Sequence, residues 1–147
     1  MVKPIIRDMQ ESDVSAILEI EQVSFATPWP GQAFIEETRK KYAFSKVAML
    51  EGEVIGYACA DYVQPESRML KLAVHQDFRR RAVGTMLMNE MISELREKGC
   101  VFMYLKVRAS NKGAQKFYEL FGFKVETVRK KYYDDPSEEA LLMMGRV

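Results

Sequence analysis

Only two cysteines, Cys59 and Cys100, occur in the 147 residues. They are too few for a disulfide framework and lack the spacing of a metal site. A single histidine, His75, leaves little for a nitrogen-ligated ion, and no metal is expected. No apolar run approaches the eighteen or so residues needed to span a bilayer. The opening MVKPIIRDMQ lacks a signal-peptide core. These absences predict a reduced, cytoplasmic protein with no membrane partner. Excess charge is missing too, since 22 Lys+Arg against 21 Asp+Glu leave +1. That balance argues against a nucleic-acid partner. The basic triplets Arg39-Lys40-Lys41 and Arg129-Lys130-Lys131 also lack interleaved aromatics for stacking bases. No repeat and no Gly/Ser/Pro-rich linker divides the chain, so one domain over residues 1–147 is expected.

What is present is an ordinary globular balance, with 48% apolar and 29% charged residues. At this length about two-thirds of the unfolded chain's surface is buried on folding, enough for a core without staples. Val2–Arg7 reads as a short edge strand. Ser12 is a candidate cap for a helix whose Val14, Ile17, Leu18 and Phe25 share a face. Pro28, Pro30 and Gly31 break that helix, and a second runs from Gln32 to Lys41. Strands are predicted at Val47–Leu50, Val54–Tyr62 and Arg68–Val74, the first two joined by a Glu51-Gly52 turn. Gly84, Leu87, Met88, Met91, Ile92 and Leu95 then recur at three and four, so residues 82–98 form an amphipathic helix stopped by Gly99. Val101–Val107 is a strand, Asn111 caps a further helix with Phe117 and Tyr118, and Phe123–Arg129 and Ala140–Val147 are the last strands. This order predicts an α/β mixed sheet with parallel crossovers at the two later helices.

The chemistry concentrates in LKLAVHQDFRRRAVGT, residues 70–85. A strand runs through a loop holding Arg79, Arg80 and Arg81 into a helix that opens Ala82-Val83-Gly84-Thr85. The first turn of a helix carries unpaired N–H groups and partial positive charge, so it attracts phosphate. Small residues there let an anion approach the backbone. On these residues alone, a diphosphate seat and a solvated basic loop are both open. The glycine patterns of Rossmann and Walker loops are absent.

LAVHQDFRRRAVGTMLM resembles the acetyl-CoA motif of the GNAT N-acetyltransferase superfamily, a strand ending in x-A-V followed by Q/R-x-x-G-x-G/A. LKVRASNKGAQKFYELFGF, RKKYYDDPSEEALLM and SFATPWPGQAF resemble its ribosomal-protein-alanine N-acetyltransferase branch. The likeness covers nearly the whole chain. It implies a mixed, mostly antiparallel sheet of about seven strands flanked by about four helices, splayed between the fourth and fifth strands. Acetyl-CoA is the implied co-substrate. Backbone around Leu72, Ala73 and Val74 then holds the pantetheine arm in the splay. The N–H groups from Arg80 to Thr85, taking in Ala82, Val83 and Gly84, hold the pyrophosphate, and Arg79 adds charge. Asn111 contacts the arm, and Tyr118 protonates the leaving thiolate. The implied acceptor is a protein N-terminal α-amine, possibly on a ribosomal protein, approached directly and lined by Trp29 and Tyr132. A small-molecule amine acceptor and a catalytically weak acyl-CoA-binding module are the alternatives. A monomer or weak dimer is expected.

Two residues depart from that pattern. Ala82 stands where the phosphate loop has its first glycine, which is acceptable provided its φ is negative. Lys106 stands where the branch carries a glutamate treated as the general base, and a protonated lysine cannot accept a proton. The proton then goes to water or to Tyr132, Glu138 or Glu139. Otherwise Lys106 is itself neutral, or it pairs with an acidic group on the acceptor, or it faces solvent in a weakened enzyme. Trp29 has a core or staple role, and the Tyr132-Tyr133 pair a cross-strand aromatic pairing, as alternatives to the acceptor groove. The basic triplets are solvated ends or a surface for an acidic partner. An α-amine, with a reference pKa near 8, needs less help from a base than a lysine side chain.

Overall fold

The computed structural model describes residues 2–79, 82–134 and 137–147. Strand β1 (Ile5–Asp8) leads through one 3-10 turn (Glu11–Asp13) into α1 (Val14–Ser24) and then α2 (Gly31–Arg39). Strands β2 (Ala43–Leu50), β3 (Glu53–Val63) and β4 (Glu66–Val74) follow, then α3 (Val83–Glu97), β5 (Phe102–Arg108), α4 (Lys112–Glu119), β6 (Lys124–Asp134) and β7 (Ser137–Arg146). One seven-stranded sheet results, in the order β1-β2-β3-β4-β5-β7-β6. All its pairings are antiparallel except β4 with β5.

Each face of the sheet has its own apolar layer, because successive strand residues point to opposite sides. On β3, Tyr57 and Cys59 join Ile17, Ile20 and Phe34 of α1 and α2. Ala58 and Ala60 instead join Leu87, Met88, Met91 and Leu95 of α3. The Glu51-Gly52 turn forms as predicted, with both residues at positive φ (49° and 84°), the twist that a two-residue hairpin favours. Gly99 likewise follows α3 at φ 88°. No helix among the described residues is long and apolar enough to cross a membrane.

Three expectations change. Ser12 is no cap: it lies inside the 3-10 turn, and Asp13 occupies the cap position of α1. The Asp13 carboxylate accepts the Gln10 N–H (2.8 Å) and two Arg7 bonds (2.8 Å each), which ties the end of β1 to the helix start. Phe25 is extended rather than helical (φ −129°, ψ 141°). Both later crossovers join strands that run parallel, the second passing over β7, which inserts between β5 and β6 and bonds antiparallel to each. Finally, β6 runs on to Asp134 with nearly all its residues exposed, as an edge strand kept soluble by charge. A strand with neither face buried shows no alternation to read.

Candidate active site

β4 and β5 are bonded only at Glu66–Phe102, Ser67–Met103 and Arg68–Tyr104. Beyond those pairs the strands part. Residues up to Val74 keep their ladder to β3, while their other edge has no β5 partner. The parting opens a groove of about 1190 Å³, lined by Lys71 and Leu72 of β4, Lys106 of β5, and Asn111, Tyr118, Trp29 and Tyr132. The expected splay is therefore present, and it brings together residues from five separate stretches of sequence. Ala73 and Val74 do not line the groove with side chains. Ala73 is buried toward α1 and α2, so what these two offer an extended arm is backbone.

At the end of β4 the chain turns into α3. His75 closes this turn structurally, its Nδ1 accepting the Asp77 N–H (3.1 Å). Arg79 folds back, its Nε donating to the Val74 carbonyl (3.2 Å). Arg80 and Arg81 lie outside the described residues. Ala82 is the cap residue of α3, and its φ is +62°, left-handed, which corrects the expectation of a negative value. The turn demands the left-handed form whichever residue sits there, so alanine bears a strain of about 1–2 kcal/mol that glycine avoids. No side chain caps α3, so the N–H groups of its first turn stay available to an anion. A Cβ built on Gly84 would meet only Phe117 Cζ at 3.5 Å and Val74 Cγ2 at 3.8 Å, ordinary contacts. Packing therefore does not require glycine at 84.

Asn111 caps α4, its Oδ1 accepting the Ala114 N–H (3.1 Å), and its amide N–H2 remains for a ligand in the groove. Tyr118 is 7% exposed, with its ring near Phe117 and Phe123. Burial pushes its phenol well above the usual tyrosine range. It therefore keeps its proton near neutral pH and has an O–H to donate.

The β6 side of the groove is shaped by an irregularity in that strand. The ladder between β6 and β7 shifts between Arg129 and Tyr133, and Lys131 adopts φ +52°. Such a bulge re-aims the strand, and Tyr132 comes to rest beside Lys106. Lys106 Nζ donates to the Tyr132 hydroxyl (3.1 Å) and lies 4.9 Å from its ring centroid. Lys106 thus reaches into the groove rather than away from it. Glu138 is no base here: it accepts from Arg108 (3.1 Å), Ser110 Oγ (3.0 Å) and Ser110 N (3.0 Å). The Ser110 hydroxyl, with Arg108, holds its carboxyl below the usual range. Neither Glu138 nor Glu139 lines the groove. Of Tyr132, Glu138 and Glu139, Tyr132 alone stands in it, beside Lys106. Trp29 has its ring 5.2 Å from that of Phe34 in the core and also lines the groove. Cys59 is buried, and desolvation pushes its thiol far up, so it has no nucleophilic character.

One constellation was not anticipated. Glu21 of α1 is fully buried. It receives Lys71 Nζ (2.7 Å), the Tyr57 hydroxyl (2.5 Å) and the Trp29 backbone N–H (2.9 Å). Lys71 Nζ also sits 3.7 Å from the Phe25 ring centroid and 5.1 Å from that of Trp29. Glu21 therefore fastens the Phe25–Trp29 loop to strand β4, and both line the groove. A signal existed. Glu21 stands four residues after Ile17 on the buried face of α1, and Lys71 interrupts the apolar run LKLAV two residues before Ala73.

Residues 14–123 match the Acetyltransferase (GNAT) family. The chain belongs to this family. It is 34% identical to the ribosomal protein bS18-alanine N-acetyltransferase of Salmonella typhimurium, over 92% of each chain. The crystal structure of the ribosomal-protein-S18-alanine N-acetyltransferase from Escherichia coli superposes with a TM-score of 0.90 at 29% identity, covering 99% of this chain and 94% of that one. The paia N-acetyltransferase of Thermoplasma acidophilum, solved with coenzyme A, shares the fold at a TM-score of 0.82 and 16% identity, covering 99% of each chain. This GNAT protein is an acetyl-CoA-dependent N-acetyltransferase. Its groove carries an uncapped helix start, a strand edge without a β5 partner and a buried tyrosine hydroxyl.

Proposed function

We propose that this acetyltransferase acts on the N-terminal α-amine of a protein, as its bS18-alanine relatives are named for doing. The observation that carries this reading is the form of the groove. Its volume of about 1190 Å³ and its lining, which takes in Trp29 and Tyr132 as well as Asn111 and Tyr118, leave room for a peptide acceptor beside the co-substrate. We place the reaction in the cytoplasm, in keeping with two free, buried cysteines.

In this reading the first turn of α3 holds the diphosphate, with Val83, Gly84 and Thr85 contributing N–H groups. The open edge of β4 at Leu72–Val74 bonds the pantetheine arm, and Asn111 steadies it. A backbone N–H near Val74 stabilises the oxyanion formed when the amine adds to the thioester carbon. Tyr118 gives its proton to the departing sulfur. The amine arrives neutral, as an α-amine can near neutral pH, and sheds its second proton to water or through the Tyr132 hydroxyl.

The test is thiol release from acetyl-CoA with N-terminal peptides, the same peptides blocked at the α-amine, and free polyamines or amino acids. Turnover of the unblocked peptides alone is expected. Turnover of free amines without peptides would overturn the assignment to protein N-termini. Tyr118→Phe is expected to lower kcat about a hundredfold with peptide KM nearly unchanged.

A further inference from the structure

The groove's acceptor end has an unbalanced charge. Seven cationic side chains line the groove, namely Lys40, Lys41, Arg68, Lys71, Lys106, Arg108 and Arg129, against two carboxylates, Asp61 and Glu66. Most of the seven are neutralised in place. Arg68 and Lys40 both bind Asp61 (2.8 and 3.4 Å), Lys40 also pairs with Glu37, Lys71 with Glu21, and Arg108 with Glu138. Among the described residues, Lys41, Lys106 and Arg129 make no ion pair; Lys41 follows α2 and lies 5.4 Å from the Tyr42 ring centroid, while Lys106 and Arg129 line the groove from β5 and β6. Glu66 sits at the paired end of β4, opposite Phe102. Phe102 is four residues before Lys106, or about 13 Å along an extended strand. That carboxylate cannot serve the open end.

The open end is where a nucleophilic amine must enter, and two unneutralised cations there oppose its ammonium form. A carboxylate carried by the acceptor removes the conflict. Lys106 is presented for it: its Nζ uses one donor on Tyr132 and keeps two. The Tyr132 ring lies against the ammonium and limits its wandering. Arg129 offers a planar fork suited to bidentate capture of a carboxylate.

We propose that the enzyme selects N-termini with Asp or Glu in the residues directly behind the acetylated one, recognised by Lys106 with Arg129. This rests on the protein N-terminus reading above and names its substrate class. Lys106 is a specificity-determining residue here, and the proton leaves by the route already given.

The experiment compares kcat/KM for three peptides of equal length, beginning Ala-Glu-Glu, Ala-Gln-Gln and Ala-Lys-Lys, with the wild type, Lys106→Met and Lys106→Glu. The wild type is expected to favour the first over the third by tenfold or more, most of it in KM, and 0.5 M salt should erode the preference. Lys106→Met should flatten the series and Lys106→Glu should invert it, with acetyl-CoA affinity by calorimetry unchanged in both. A wild type blind to peptide charge, or an acidic preference that survives Lys106→Glu, would overturn the proposal while leaving the N-terminus reading intact. If none of the peptides is acetylated by an enzyme that turns over free amines, both fall together.

Discussion

Replacing Lys71 by methionine removes the ammonium from a carboxylate that has no access to water. Glu21 is 0% exposed and Lys71 is 8% exposed. The substitution keeps volume and apolar stem but leaves Glu21 with two neutral donors, Tyr57 and the Trp29 N–H. Breaking a buried pair in this way costs about 3–5 kcal/mol, a large part of the roughly 5–15 kcal/mol that holds a domain folded. For a chain of this length that is a fall in Tm of about 6–20 °C. Glu21→Gln should cost less, because the Lys71 ammonium retains the Phe25 ring face at 3.7 Å, worth up to about 2 kcal/mol when desolvated. The double variant, with neither charge, is expected to be about 2–3 kcal/mol more stable than the sum of the single losses predicts. Urea unfolding followed by circular dichroism on all four proteins measures that coupling. Additivity within about 0.5 kcal/mol would refute the reasoning, since it would mean that the two charges do not depend on each other. The same variants test the loop. Lys71→Met should raise peptide KM more than acetyl-CoA KM, because Glu21 anchors the Trp29 wall.

Ala82→Gly relieves the left-handed strain but loosens the unfolded chain, so a net gain of about 0.5–1 kcal/mol is expected in thermal or urea unfolding. Gly84→Ala should fold as well as wild type in thermal unfolding, since its Cβ finds only ordinary contacts with Phe117 and Val74. Gly145→Ala should destabilise by about 1–3 kcal/mol, because the new Cβ would lie 2.7 Å from Phe123 Cδ1 in the core. Arg7, by its hydrogen bonds, holds the Asp13 carboxyl below its usual range. A depressed carboxyl contributes stability above its unfolded pKa of about 4 and loses it as pH falls toward the folded value. The wild type should therefore lose stability faster than Asp13→Asn in melts taken from pH 5 down to pH 2.

Local chemistry decided much of this protein in advance. The three-and-four spacing from Gly84 to Leu95 determined α3, the Glu51-Gly52 pair its hairpin, Asn111 the start of α4, and the motif around residues 72–88 the family and its co-substrate. These are short-range or pattern-borne properties: periodicity, caps and turns act within a few residues. The tertiary structure decided what depends on which strand lies beside which. The insertion of β7 between β5 and β6, the left-handed Ala82, the bulge that brings Tyr132 onto Lys106, and the capture of Glu138 by Arg108 and Ser110 all join residues across strands or around turns. So does the Glu21–Lys71 pair, 50 positions apart in the chain. Burial turns that pair from two ordinary surface residue types into a strongly coupled one, and burial belongs to the assembled fold rather than to any stretch of sequence.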